Sequence, residues 1–159
     1  MFAIPTVLFV CTGNIYRSRF AEALFNHHAQ AEGLGWCAFS RGLHPESIAS
    51  EALSPHAQAA LEARNIELHH TAAKKSPLTA EDLEMAHIII ALSAAEHRPL
   101  LAEQFPAWLD QFNFWEVGDL PLSSPEDALS LIEHEVLNLL QDLKAVAEDP
   151  SPDAAPTDS

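Results

Sequence analysis

Cys11, Arg17 and Ser18 stand at a spacing that suits nucleophilic attack on a phosphate ester. They bound the stretch Cys11-Thr12-Gly13-Asn14-Ile15-Tyr16-Arg17-Ser18, which lies between an apolar run and a helix-like run. A loop in that place wraps its backbone N–H groups into a concave nest, and the helix that follows points its positive end at the same space. The whole loop from Thr12 to Ser18 is therefore the expected phosphate-binding element. A cysteine facing those donors and a guanidinium is favoured as a thiolate, and the thiolate is the nucleophile. Arg17 offers a planar fork to two phosphate oxygens, which the point charge of a lysine could not copy. Gly13 opens backbone conformations closed to other residues. Ser18 can cap helix N–H groups and donate to the Cys11 sulfur. A cysteine and an arginine six residues apart form a weak pattern alone; closing a loop at the end of a strand makes the pair informative.

The elements that must hold this loop are legible on either side. Val7-Leu8-Phe9-Val10 is an unbroken apolar run, the pattern of a strand buried on both faces. From Ser18, the residues Phe20, Ala21, Leu24, Phe25 and Ala29 recur at helical spacing, which predicts a helix to about Glu32, ahead of Gly33 and Gly35. Trp36 to Ser40 reads as a second strand ended by Gly42. Ser54-Pro55 opens a helix to about Arg64. Ile66 to His69 suggests a short extended piece. Thr79 caps a further helix with Asp82 three residues on. His87 to Leu92 is a buried strand followed by a helix from about Ala94 to Phe105, and Phe112 to Val117 is the last strand. Pro125 then opens a long amphipathic helix with Leu129, Ile132, Val136, Leu139, Leu140 and Leu143 on one face. Strands alternating with helices predict an α/β fold with a parallel sheet in flavodoxin-like order, a three-layer sandwich with ligands at the carboxyl ends near the first strand.

With 159 residues, 48% apolar and 19% charged, the chain has the size and composition of one globular domain. That domain is expected over residues 1–147, with an acidic, proline-rich and disordered tail over 148–159. Eight Lys plus Arg against 23 Asp plus Glu give a formal net charge of -15. Such a surface repels phosphate backbones and anionic lipid, so neither nucleic acid nor a membrane is an expected partner. No apolar run reaches the ~20 residues of a membrane-spanning helix, and the start lacks the basic region of a signal peptide. Two cysteines in dissimilar contexts, Cys11 and Cys37, suggest reduced thiols and a cytoplasmic protein.

The sequence resembles the low-molecular-weight protein tyrosine phosphatases at Val7-Leu8-Phe9-Val10-Cys11-Thr12-Gly13-Asn14, then Arg17-Ser18 and Ala21-Glu22-Ala23. Ser40-Arg41-Gly42 and His87 to Leu92 extend the similarity, which covers about Thr6 to Leu143. The resemblance implies a four-stranded parallel sheet, with a fifth strand as the alternative, and metal-independent hydrolysis of phosphomonoesters through a phosphocysteine. It implies phosphotyrosine proteins or small aryl phosphates as substrates and no cofactor. It also requires a general acid, since a phenolate is a poor leaving group without a proton donor. Asp119, in Glu116-Val117-Gly118-Asp119-Leu120-Pro121, occupies the family's place for that acid, with the proline one residue late; Asp110 and Asp127 are the alternatives. Asn14, Ser18, Ser40 and His70 resemble the polar residues that support the loop. Tyr16 replaces a second cysteine common in the family, Arg19 a common proline, and Leu92-Ser93 a common Met-Asp.

Other constellations carry less. The pairs His27-His28 and His69-His70 diverge, and His134 lacks the partner histidine of a zinc helix, so no metal is expected. Glu96-His97-Arg98 at a helix start reads as solvated charge without a role. Trp108 and Trp115 read as core. Two further functions fit the scaffold: a thiol-dependent arsenate reductase, which would need Cys37 as a relay, and an anion sensor that binds without turnover.

Overall fold

The computed structural model describes residues 4–50, 52–72, 74–118 and 124–148. Four parallel strands form the sheet: β1 (Thr6–Cys11), β2 (Cys37–Gly42), β3 (Ile88–Ala91) and β4 (Asn113–Phe114), in the spatial order β2-β1-β3-β4. The flanking helices are α1 (Arg17–Ala31), α2 (Pro55–Ala63), α3 (Ala80–Met85), α4 (Ala94–Gln104) and α5 (Pro125–Glu148).

β1 is buried on both faces, as its apolar run requires, and its alternation divides the core in two. Val7, Phe9 and Cys11 pack with Phe20, Leu24 and Phe25 of α1 and with Ile132, Val136 and Leu140 of α5. Leu8 and Val10 pack on the other face with Leu83 of α3 and Leu101 of α4. The register places Val7 opposite both Ala38 and Ile88, so β1 is central. Chain order runs outward from β1 to β2 on one side and to β3 on the other. The crevice at the carboxyl end of β1 is thus the topological switch point of the sheet, where ligands bind in open α/β folds.

Local expectations hold with informative differences. Ser54 caps α2, and the Thr79–Asp82 reciprocal cap of α3 is complete despite the short aspartate. The short piece expected over Ile66 to His69 forms no strand: Glu67 is extended, but Leu68–His70 form a 3-10 turn. The last strand is only two residues long, because Pro106–Gln111 coil into a 3-10 segment before it, and beyond Phe114 the chain keeps single backbone bonds, Trp115 N–H to Ala91 O (2.9 Å) and Val117 N–H to Leu92 O (2.8 Å). The expected tail lies outside the described residues, as does Asp119. No helix among the described residues is long and apolar enough to cross a membrane.

Candidate active site

The loop that leaves β1 is held by close approach and by one unusual backbone angle. Asn14 sits in the left-handed region at φ 59°, where asparagine is among the few tolerated side chains. Gly42, opposite Cys11 at the end of β2, lies under the loop: a Cβ there would stand 2.8 Å from Thr12 O and 2.9 Å from Asn14 Cβ. This strand end therefore requires glycine.

Inside the loop, Cys11 is 2% exposed and its sulfur faces polar hydrogen. The Asn14 N–H donates to Sγ at 3.3 Å, and Ser18 Oγ lies 3.0 Å away. Asn14 Nδ2 donates to that same Ser18 oxygen (2.9 Å) and to Ser40 Oγ (3.0 Å). Ser18, having accepted from Asn14, has its own hydrogen to direct at the sulfur. Asn14 Oδ1 accepts from the Ser76 N–H at 2.9 Å, which fixes the orientation of the amide. Ser18 was expected both to cap the helix and to serve the sulfur; it does the second. Tyr16 at the helix N-cap makes no side-chain capping bond, and the positive end of α1 faces the cradle.

Beneath the loop the network ends on buried Glu22 and Arg19, joined through Thr71. Ser40 Oγ donates to Glu22 Oε1 at 2.7 Å, and Thr71 Oγ1 donates to the same oxygen at 2.8 Å. Arg19 Nε donates to Thr71 Oγ1 at 3.0 Å, and Arg19 also donates to Ala72 O. Burial pushes the Glu22 carboxyl up, opposed in part by the bonds from Ser40 and Thr71 and by the charge of Arg19. His70, expected among these supports, points elsewhere: its ring stacks against His69 and His27, and its neighbour Thr71 fills the supporting place. His70 ends the 3-10 turn and Thr71 follows it in extended conformation, so their side chains leave the chain in different directions.

Arg17 is 2% exposed and is gripped from two elements. Nη1 donates to Val117 O at 3.0 Å, on the segment that leads toward Asp119. Nη2 donates to Glu96 Oε2 at 2.7 Å. The sequence presents Glu96 as solvated charge at a helix start, whereas here its carboxylate is turned into the site. Its Oε2 also accepts from Thr12 Oγ1 and lies 3.3 Å from Nε2 of the fully buried His97. Burial would raise the Glu96 carboxyl, but the bonds from His97, Arg17 and Thr12 and the charge of Arg17 outweigh it and hold Glu96 well below the usual carboxylate range. Glu96 is therefore ionised at neutral pH and has no proton to give a leaving group.

The loop residues Cys11 to Arg17 line a cavity of about 200 Å³, with Ile48, Ser54 and Glu96 completing its wall. Asp110 and Asp127 do not reach it. The first is exposed before β4; the second occupies the first turn of α5, where an acid complements the helix dipole. Trp115 packs against Phe9, and Trp108 joins the core on the other sheet face. Cys37 is opposite Thr6, at the far end of β1 from Cys11, five residues or about 16 Å along the strand.

Comparison with known proteins agrees with this architecture. Residues 6–149 match the low molecular weight phosphotyrosine protein phosphatases. A protein-arginine-phosphatase of Bacillus subtilis is 38% identical over 105 residues, covering 66% of this chain and 66% of that protein. The structure of a low molecular weight protein tyrosine phosphatase from T. tengcongensis superposes with a TM-score of 0.73 at 27% identity, covering 87% of this chain and 99% of that one. A YwlE arginine phosphatase mutant with a phosphorylated active-site serine does so with a TM-score of 0.70 at 29% identity, covering 91% and 97%.

Proposed function

Because the chain belongs to the low molecular weight phosphotyrosine protein phosphatase family, we propose that it hydrolyses phosphomonoesters through a phosphocysteine on Cys11, with phosphotyrosine in proteins or a small aryl phosphate as substrate. The observation that carries this reading is the buried sulfur, faced by the Asn14 N–H and Ser18 Oγ before the start of α1, with Arg17 fixed alongside. Cys11 Sγ attacks phosphorus, the S–P bond forms and the P–O bond to the leaving group breaks. Arg17 and the loop N–H groups hold the three non-bridging oxygens as the phosphoryl group flattens. Asp119 gives its proton to the leaving oxygen, then takes one from the water that breaks the S–P bond and releases inorganic phosphate. Asn14, Ser18 and Ser40 act through the loop's shape and the sulfur's surroundings. The arginine phosphatase with a phosphorylated active-site serine supports a covalent route at the nucleophile's position.

The walls above the cradle support the aryl preference. Ile15 and Ile48 line the cavity beside Tyr16, a largely apolar surface suited to a ring. One observation favours a second reading, in which the phosphoryl group is taken from arginine: Glu96 lines the same cavity with a carboxylate, and one relative is a protein-arginine-phosphatase. Its Oε2 is already engaged by Arg17 and Thr12, which ranks that reading second. The position of Cys37 at the opposite end of the sheet argues against a thiol relay of the arsenate reductase kind.

The deciding experiment compares kcat/KM on one peptide carrying phosphotyrosine with the same peptide carrying phosphoarginine, without added metal. Faster turnover of the tyrosine peptide is expected. A preference for phosphoarginine would replace the first reading by the second, and hydrolysis of neither would leave a binding protein.

A further inference from the structure

Glu96 is a carboxylate set into the wall of an anion site, where its charge opposes the ligand that the rest of the site attracts. Three donors converge on its single oxygen Oε2. Arg17 Nη2 is 2.7 Å away, Thr12 Oγ1 donates to it from the phosphate loop, and His97 Nε2 lies at 3.3 Å. His97 is wholly buried, and its Nδ1 accepts the Ser93 N–H at 3.1 Å, so the ring hydrogen is on Nε2 and aimed at Glu96 and Thr12. Ser93 Oγ in turn accepts the Glu96 N–H at the start of α4. The carboxylate is thus built in rather than draped over the surface, although it keeps 31% exposure and lines the cavity.

Such an arrangement has two physical consequences. A guanidinium on a flexible stem is pinned at both ends of its fork, by Glu96 from α4 and by Val117 O from the β4 side. Misplacement of a catalytic group by about 1 Å can cost two orders of magnitude in rate. The same negative charge, beside the space where a phosphate dianion rests, weakens the ground-state hold on that dianion. We propose that Glu96 is a positioning residue that orients Arg17 for the flattened phosphoryl group while loosening the site's grip on phosphate itself. The inference rests on the phosphatase reading for its rate component and on geometry alone for its binding component.

Glu96→Ala and the near-isosteric Glu96→Gln separate this role from simple support of the loop. Two quantities are measured: kcat/KM on para-nitrophenyl phosphate, which product release does not limit, and the Kd of inorganic phosphate from its protection of Cys11 against iodoacetamide, which needs no turnover. Glu96→Ala should lower kcat/KM by about 10–100-fold and tighten phosphate binding by at least about threefold. Glu96→Gln, which keeps an oxygen for Arg17 and Thr12, should lose less rate and tighten phosphate similarly. Rate within about twofold of wild type in both variants, or phosphate binding that is unchanged or weakened in Glu96→Gln, would overturn the proposal. If the wild type protects Cys11 with phosphate yet turns nothing over, the phosphatase reading fails, and the phosphate Kd of the variants still decides the binding component.

Discussion

Asn14 joins the sulfur, the helix start and two distant segments, so its removal should be felt in both stability and rate. Its side chain makes three hydrogen bonds, buried ones to Ser18 and Ser40 and a half-buried one from the Ser76 N–H, and its backbone N–H meets Cys11 Sγ from a left-handed conformation. At about 0.5–1.5 kcal/mol for each bond, Asn14→Gly should lose about 2–4 kcal/mol while keeping the backbone free to adopt the loop shape. Asn14→Ala adds the cost of a left-handed alanine, about 1–2 kcal/mol. With a urea m-value of about 2 kcal/mol/M, the glycine variant should shift the unfolding midpoint down by about 1–2 M. Turnover of para-nitrophenyl phosphate at folded concentrations of urea should fall by about tenfold or more in both variants, since the N–H that faces the sulfur is no longer held. Urea titration followed by fluorescence, with initial rates on the same samples, gives both numbers. A midpoint loss below about 0.3 M in Asn14→Ala, or wild-type turnover in either variant, would refute the claim that this side chain shapes the cradle.

Further outcomes follow from the same geometry. Asp119→Asn should cut kcat on phenyl phosphate by about 10²–10⁴ and much less on an ester whose leaving group needs no proton; an equal loss on both would remove Asp119 as the acid. The buried Glu22 carboxyl is raised by burial above its unfolded value, so its contribution to stability is present at low pH and is lost as pH rises through the raised value. Glu22→Gln should therefore gain on the wild type in urea midpoint as pH rises from the usual carboxylate range, and a gap that stays constant with pH would contradict the assignment.

What could be read in advance depended on how local the signal was. β1, the loop and α1 form one contiguous stretch whose apolar run, polar break and helical period all fall within thirty residues. The caps of α2 and α3 are likewise four-residue patterns. Glu96 could not be read this way, because an acid in the first turn of a helix is what the dipole favours anywhere, and its partner Arg17 is 79 residues away. Ser93 in place of an acid was a hint, since a buried guanidinium needs a counter-charge from somewhere near. The choice of His70 over Thr71 rests on the resemblance alone, and no local pattern in the sequence distinguishes the two neighbours. The sequence overstates β4 because Trp115 and Val117 are apolar to fill the core, not to extend a strand ladder.

The claim on which the account depends is that Cys11 carries the phosphoryl group. Rapid-quench peptide mass spectrometry of the Asp119→Asn variant, in which hydrolysis of the intermediate is slowed, tests it during turnover of para-nitrophenyl phosphate. The account predicts one phosphoryl group on the peptide that contains Cys11, lost when the thiol is alkylated first. Sustained turnover with that peptide unmodified, or undiminished hydrolysis by Cys11→Ser, would contradict it.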